Sequence, residues 1–465
     1  MSRITRSFAG LAIGEAVARV LAFVGTLVIA RQLGPAMYGI IGVMSGVLLY
    51  FNQVADAGIE LSGVPAVARA PDRAGPLASA TLTFRLLLAT AVTIVVVVVG
   101  LAVLPQPDGA ILAIYALSLT SVAASTRWLL IGLQRPGAVA AARIVGEALG
   151  LALLLLLVRD VGDAASVPLA FVIGVGCSSL LMLVGVRRQG VVLRWAPHGP
   201  TCRPLFERAP HLVGFTLLGL LLFNFDLIYL RVMTGATPAG HYAAAYTFIA
   251  FASNLAVAWS HSVMPELARL DDRLDERSQV YATSLALAAT VTLPVMVGGI
   301  LLAGPIIAFV FGPGYEPAAT ALRWLLAAVP LAAFRELAVA ALIGAAGGER
   351  RLLRVNALSV GLNVALVVPL VPMFGLAGAA AATVGTEVVR LAMAARYARA
   401  AGFHAPGLRR YWRSGAAVVV MAAVVVAVGP APMPVLVGAG AGAYALVLWG
   451  TGALRLERGR PRLRV

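Results

Sequence analysis

Five carboxylates and seven guanidiniums lie inside long apolar stretches of this chain, most of them within one helical turn of an opposite charge. Glu15 and Arg19 are spaced i,i+4, as are Arg143 and Glu147, while Glu387 and Arg390 are spaced i,i+3 and Arg335 and Glu336 are adjacent. Residues three and four apart share a helix face, so such pairs can neutralise themselves. Asp226, beside Asn224, differs, because its nearest cation along its own helix is Arg231. Arg85, Arg127 and Arg323 complete the set.

An ion at mid-bilayer costs about 2.5–3.5 kcal/mol on insertion scales, so each needs a partner, a water-filled cavity or an escape to the interface. A guanidinium keeps its charge at any working pH and offers a planar fork of donors that suits phosphate oxygens. A carboxylate whose pKa is raised by burial can take up a proton. Each pair, taken singly, reads equally as a staple between helices or as part of a cavity wall. A bundle needing only stability does better with apolar packing than with buried ion pairs, so the set favours a cavity. Arg85 lies close enough to the inner end of its span to snorkel, and Arg323 lies near an outer end. The candidate substrate-binding residues are therefore Arg19, Arg127, Arg143 and Arg390, with Asn52 and Asn254 as polar surface for hydroxyl-rich ligands. The candidate ion-coupling residues are Glu15, Asp226 and Glu387, coupled to a proton or sodium gradient. Asn356, Asn363 and His261 add further polar surface, and any of these amides equally serves as an interhelical hydrogen-bond partner.

The elements that must position these groups are transmembrane helices. With 60% hydrophobic and 12% charged residues, the chain has more apolar surface than a soluble core can cover. Fourteen stretches have the length needed to cross a bilayer: 8–30, 36–55, 77–104, 109–133, 138–158, 165–186, 209–231, 240–264, 280–303, 318–346, 352–372, 375–395, 414–430 and 433–454. The fold class is all-α, a polytopic bundle. All 36 basic residues are arginine, and the net charge of +16 invites a nucleic-acid reading that their placement excludes. With a cytoplasmic N-terminus, 26 arginines fall on inner loops and tails, three (Arg31, Arg159, Arg231) on outer loops and seven inside spans. That asymmetry is the positive-inside rule and also sets the C-terminus in the cytoplasm. The basic clusters read as topology anchors that touch anionic membrane lipids. Cys177 and Cys202 offer neither a disulfide nor a metal-ligand spacing. Glu15 and Arg19 interrupt the first apolar run, which argues against a removable signal peptide.

The chain also repeats itself. Pro65-Ala-Val-Ala-Arg69 and Pro265-Glu-Leu-Ala-Arg269 close corresponding spans, and Arg31 with Tyr38 answers Arg231 with Tyr242. Further on, Arg143, Gly150 and Leu151 answer Arg354, Gly361 and Leu362. Six spans separate each matched pair, so the copies share one orientation. Parallel repeats of this kind place a transport path at their interface. The expected organisation is an N-lobe over 1–186 (helices 1–6), a basic linker over 187–211, a C-lobe over 212–400 (helices 7–12), and an unmatched helix pair with a basic tail over 401–465.

No loop is long enough for a catalytic domain, and phosphate-loop, HExxH, GxSxG and paired-carboxylate motifs are absent, so no enzyme, metal or cofactor is expected. Asp72-Arg73-Ala-Gly75 matches the Asp-Arg-x-Gly loop of major-facilitator transporters poorly, since Ala68 replaces its leading glycine and Pro76-Leu77 its basic pair. Arg31-Gln-Leu-Gly-Pro-Ala-Met-Tyr-Gly39, Ala239-Gly-His-Tyr242, Met264-Pro-Glu-Leu-Ala268, Phe311-Gly-Pro-Gly-Tyr315 and Gly375-Leu-Ala-Gly378 form a different series. In order and topology they resemble polysaccharide flippases of the Wzx type, in the multidrug/oligosaccharidyl-lipid/polysaccharide exporter (MOP) superfamily. The resemblance runs over roughly residues 5 to 455. It implies two six-helix lobes that move an undecaprenyl-pyrophosphate-linked oligosaccharide from the inner to the outer leaflet of a bacterial cytoplasmic membrane by alternating access. Exopolysaccharide or O-antigen assembly would follow, with a polysaccharide polymerase or glycosyltransferases as partners. Lipid II flippases of that superfamily carry a cavity arginine on helix 1, for which Arg19 is the equivalent by helix. The alternative is a cation-coupled small-molecule or multidrug antiporter of the same superfamily, whose cavity should be net acidic, whereas here arginines outnumber carboxylates.

Overall fold

The computed structural model describes residues 3–56, 58–196, 203–270, 273–343, 348–457 and 460–463. Seventeen α-helices are present among them. In the first half these are α1 (Arg3–Asp56), α2 (Ile59–Arg69), α3 (Ala74–Val103), α4 (Asp108–Ala116), α5 (Ser118–Ala124), α6 (Arg127–Gly132), α7 (Pro136–Leu157) and α8 (Ser166–Arg187). There follow α9 (Arg203–Thr234), α10 (Ala236–Arg269), α11 (Leu274–Leu301), α12 (Ala303–Phe311), α13 (Ala318–Leu326), α14 (Ala328–Ile343), α15 (Gly348–Ala400), α16 (Trp412–Val428) and α17 (Met433–Gly450). A short antiparallel hairpin, β1 (Leu454–Glu457) and β2 (Arg460–Leu463), follows the all-α body.

Ten helical stretches among the described residues are long and apolar enough to cross a membrane. Two of them are double. Gly34 breaks α1 at φ 69° and ψ 174°, a conformation open to glycine because it lacks a Cβ. Pro35 then opens the next helical run at a position where its missing N–H costs nothing. Gly375 divides α15 in the same way at φ 54°. With α9 and the shorter apolar α16, each of the fourteen expected stretches falls mainly on helix over its described residues, residues 344–346 of the tenth lying outside them. The fourth expected span is itself discontinuous, running through α4, α5 and α6, and the tenth runs through α13 and α14.

The chain forms two compact units, 1–224 and 225–465. In the first, α7 packs closely on both α1 and α8. The α7–α8 crossing depends on small residues: a Cβ on Gly146 would stand 2.6 Å from the carbonyl oxygen of Gly174, and one on Gly174 2.8 Å from that of Gly146. Such close backbone approach is how helices associate where lipid removes the hydrophobic drive. Trp128 anchors a separate core with Ile59, Val67, Leu129 and Val139, and the Gly63 backbone lies against its ring. The expected linker begins strapped along α3, where the hydroxyls of Ser79 and Thr83 accept the backbone N–H groups of Arg194 and Ala196 at 3.0 and 3.1 Å. Its later residues 197–202, with Cys202, lie outside the described residues, as do Arg458 and Arg464 of the basic tail.

In the second unit Tyr281, Leu285, Leu337, Ala341 and Phe403 form the core between α11, α14 and the end of α15. The unmatched helices α16 and α17 pack on α11. The Thr290 and Ser414 hydroxyls lie 2.7 Å apart, and the Tyr444 hydroxyl donates to the Thr290 carbonyl at 2.6 Å.

Candidate functional site

The break in the fourth span organises the charges of the first unit. Helix α5 stops at Ser125, which takes an extended conformation (φ −63°, ψ 126°), and α6 restarts at Arg127. The Ser125 hydroxyl accepts the Arg127 N–H at 3.4 Å, the local competition with the helix ladder that serine favours. Carbonyls left at such a break need donors. Arg85 supplies them, donating to the Val122 and Ser125 carbonyls at 3.1 and 3.2 Å and to Asp56 Oδ1 at 2.8 Å. Its side chain is 2% exposed. Arg85 therefore does not snorkel as its place near a span end suggested; it is drawn inward by a carboxylate 29 residues away and by open carbonyls, neither visible in the hydropathy of its own helix.

On the far side of the break, Arg127 Nη2 reaches Glu15 Oε1 at 3.4 Å. Glu15 thus pairs across helices, not with Arg19 one turn on in its own helix. Arg19 is exposed and makes no ion pair among the described residues. Arg143 and Glu147 do form the expected i,i+4 pair, at 3.3 Å. Arg127, Arg143 and Glu147 line a cavity of about 320 Å³ between α5, α6, α7 and α8, with Ser125, Ser178 and Ser179 on its walls and Gly146, Gly150 and Gly174 giving it depth. The side chains of the two ion pairs are 22 to 34% exposed.

The second unit holds a different cluster. Arg335 Nε donates to Glu387 Oε2 at 2.9 Å and its Nη1 to Glu336 Oε1 at 2.6 Å, while Arg390 donates to the other oxygen of Glu387. Two pairs that the sequence suggests separately are thus one network across α14 and α15, and its members are 6 to 16% exposed. Nearby, Asp226 is buried without a cationic partner among the described residues. It accepts from the Tyr242 hydroxyl, from the Thr383 hydroxyl at 3.0 Å and from the Leu227 N–H at 2.9 Å. Tyr246 stacks on Tyr242 at 5.7 Å between centroids.

Of the remaining candidates, Asn52 is half-buried with an Oδ1 that has no hydrogen-bond partner among the described residues. Asn254 is exposed and donates to the Ala250 carbonyl in its own helix at 2.8 Å. Asn363 is buried and donates to Thr386 at 3.4 Å. Asp56, Glu147, Tyr242, Thr383 and the pair Arg335–Glu336 join the charged sites without having been singled out as site residues. For Tyr242 a signal existed, since it sits at the repeat position of Tyr38.

The helix order and the number of long apolar helices define a multi-pass membrane protein, and its fold is shared with solved MOP superfamily transporters. A solved structure of the lipid II flippase MurJ, in an inward closed conformation, superposes with a TM-score of 0.77 over 94% of this chain and 97% of that one, at 12% identity. A multidrug resistance MATE family transporter of the MOP superfamily, inward-facing, gives 0.67 over 85% and 97% at 15% identity. A MOP superfamily transporter from Pyrococcus furiosus, described as having a binding pocket of reverse polarity, gives 0.58 over 85% and 94% at 16% identity. Among curated relatives, "Probable flippase AglR" of Haloferax volcanii is 30% identical over 162 residues, a match that spans 34% of this chain and 34% of that protein. Residues 4–271, more than half of the chain, match the profile of the polysaccharide biosynthesis protein family. The chain belongs to that family.

Proposed function

We propose that this protein is a flippase that moves an undecaprenyl-pyrophosphate-linked oligosaccharide from the inner to the outer leaflet of the cytoplasmic membrane by alternating access. The observation that carries this reading is the arginine-lined cavity of the first unit, where Arg127 and Arg143 both face the same space, in a chain of the polysaccharide biosynthesis family. Two guanidiniums on one cavity wall suit the oxygens of a diphosphate. On this reading Arg19, exposed and without an ion pair among the described residues, meets the headgroup as it enters, and Asn52 and Asn254 serve the glycan. Arg390 is already committed to Glu387, so any headgroup role for it requires that pair to open. Coupling to a proton or sodium gradient falls first to Asp226, whose partners are all neutral donors, and then to Glu15 and Glu387.

The second reading, a cation-coupled multidrug antiporter, draws on the MATE-like fold and on buried carboxylates such as Asp226. One experiment separates the two. In cells lacking the gene, lipid-linked oligosaccharide accumulates on the inner leaflet and reaches the outer leaflet again when the wild-type gene is restored; Arg19→Ala restores it poorly. Normal translocation in the deletion strain, with loss only of cationic-drug efflux, transfers the assignment to the antiporter. Wild-type translocation by Arg19→Ala removes Arg19 from the site.

A further inference from the structure

Each arginine on the wall of the first unit's cavity already has an anion for a partner, and one of the two, Glu147, lines the cavity itself. Glu147 faces Arg143 at 3.3 Å and Glu15 faces Arg127 at 3.4 Å, both longer than the about 2.7–2.9 Å of a tight charge-assisted hydrogen bond. Each arginine engages its carboxylate through one nitrogen, Nη2. The Nε of Arg143 is enclosed and has no hydrogen-bond partner among the described residues, so its fork is only partly used. Beside the two pairs stand the hydroxyls of Ser125, Ser178 and Ser179. At about 320 Å³ the cavity holds on the order of ten waters. That is room for a diphosphate and a first sugar ring, and too little for an oligosaccharide.

We infer that Glu15 and Glu147 act as internal competing ligands, holding Arg127 and Arg143 when the cavity is empty and giving them up to the two phosphates of a diphosphate when it is filled. This deepens the flippase reading and rests on it for the identity of the anion. Two loosely held, partly hydrated pairs are cheap to open, whereas a diphosphate offers the full donor fork its preferred bidentate geometry. When the headgroup leaves, the carboxylates close on the arginines again, so the cavity never holds two uncompensated cations. Their function is to keep binding weak enough for release. The rest of the glycan lies outside this cavity.

The inference predicts that removing a competitor tightens binding. With full-length protein in detergent and citronellyl-diphospho-N-acetylglucosamine as the probe, Glu147→Gln binds about two- to fivefold more tightly than wild type, the factor a partly exposed ion pair is worth, and releases the probe more slowly. Arg143→Gln binds at least about tenfold more weakly, and Arg143→Lys, which keeps the charge and loses the fork, falls between. The corresponding monophosphate shows a smaller gain from Glu147→Gln, because it engages one arginine rather than two. Unchanged or weaker diphosphate binding by Glu147→Gln, with an unfolding midpoint close to wild type, overturns the inference, as does wild-type binding by Arg143→Gln. If the wild-type protein translocates lipid-linked oligosaccharide in cells while Glu147→Gln fails to tighten binding, only this inference falls. If translocation does not depend on the protein at all, the flippase reading falls with it.

Discussion

The two units carry comparable numbers of intramembrane charges and treat them in opposite ways. In the first unit, Glu15–Arg127 and Arg143–Glu147 stand apart, at 3.3 to 3.4 Å, and Arg127, Arg143 and Glu147 line a cavity. In the second, Glu387 sits between Arg335 and Arg390, Glu336 completes the network, and the whole is closed off from its surroundings. Partly hydrated pairs cost little to form and little to open, so they can exchange partners. Enclosed pairs have already lost their hydration, and opening one strands an ion in a low-dielectric medium. The first cluster is therefore the one suited to partner exchange, while the second ties α14 to α15.

The largest test of that contrast is Glu387→Ala. It leaves Arg390 without its carboxylate and Arg335 with only Glu336, so the protein should lose about 3–5 kcal/mol of stability, seen as a collapse in folded yield or in the thermal midpoint in detergent. A loss below about 1 kcal/mol would show that water reaches this network and that the two clusters are not different in kind.

Burial, rather than membership of one unit or the other, should set the size of the effect. Arg85–Asp56 lies in the first unit yet is as enclosed as the network in the second. Asp56→Asn is expected to cost about 3 kcal/mol, because Arg85 keeps its two carbonyl acceptors and loses its counter-ion. A variant that also straightens the break at Ser125, detected as altered proteolysis or cross-linking between α5 and α6, would show that the same pair shapes the cavity wall.

How much of this was legible in the sequence follows from the range of each signal. Hydropathy is local, and over the described residues all fourteen apolar stretches fall mainly on helix. The breaks at Gly34-Pro35 and Gly375 carry the residue types such breaks need. Ion pairs within one helix were readable in part, because three or four residues make one turn: Arg143–Glu147 and Glu387–Arg390 form, whereas Glu15 turns from Arg19 to Arg127. The partners across helices were not. Glu15 and Arg127 are 112 residues apart, Arg335 and Glu387 52, and Asp226 and Thr383 157. Which residues meet across a crossing depends on helix rotation and depth, and periodicity within one helix carries neither. The same blindness made Arg85 look like a snorkelling anchor.

Asp226 offers an intermediate case. It is more enclosed than Glu387 and is held by hydroxyls and a backbone N–H instead of cations. Tyr242→Phe removes one donor and leaves Thr383 and Leu227, so a cost of about 1–3 kcal/mol is expected. Circular dichroism melts of purified protein measure it directly. A much larger loss would place Tyr242 with the structural network of α14 and α15, and none would mean that water replaces its hydroxyl.

The smallest effect on stability should come from the first cluster. Glu147→Gln removes a charge that is about one-third exposed and whose partner Arg143 is equally open, so the expected change is within about 1 kcal/mol. Glutamine keeps the length of the side chain and an acceptor oxygen, which leaves the close α7–α8 crossing at Gly146 and Gly174 undisturbed. The unfolding midpoint should therefore match wild type even as translocation slows, if the proposed role holds and the arginine is no longer reclaimed when a headgroup departs. A large drop in stability would mean that Glu147 is a staple like Glu387, and the difference between the two units would reduce to one of geometry.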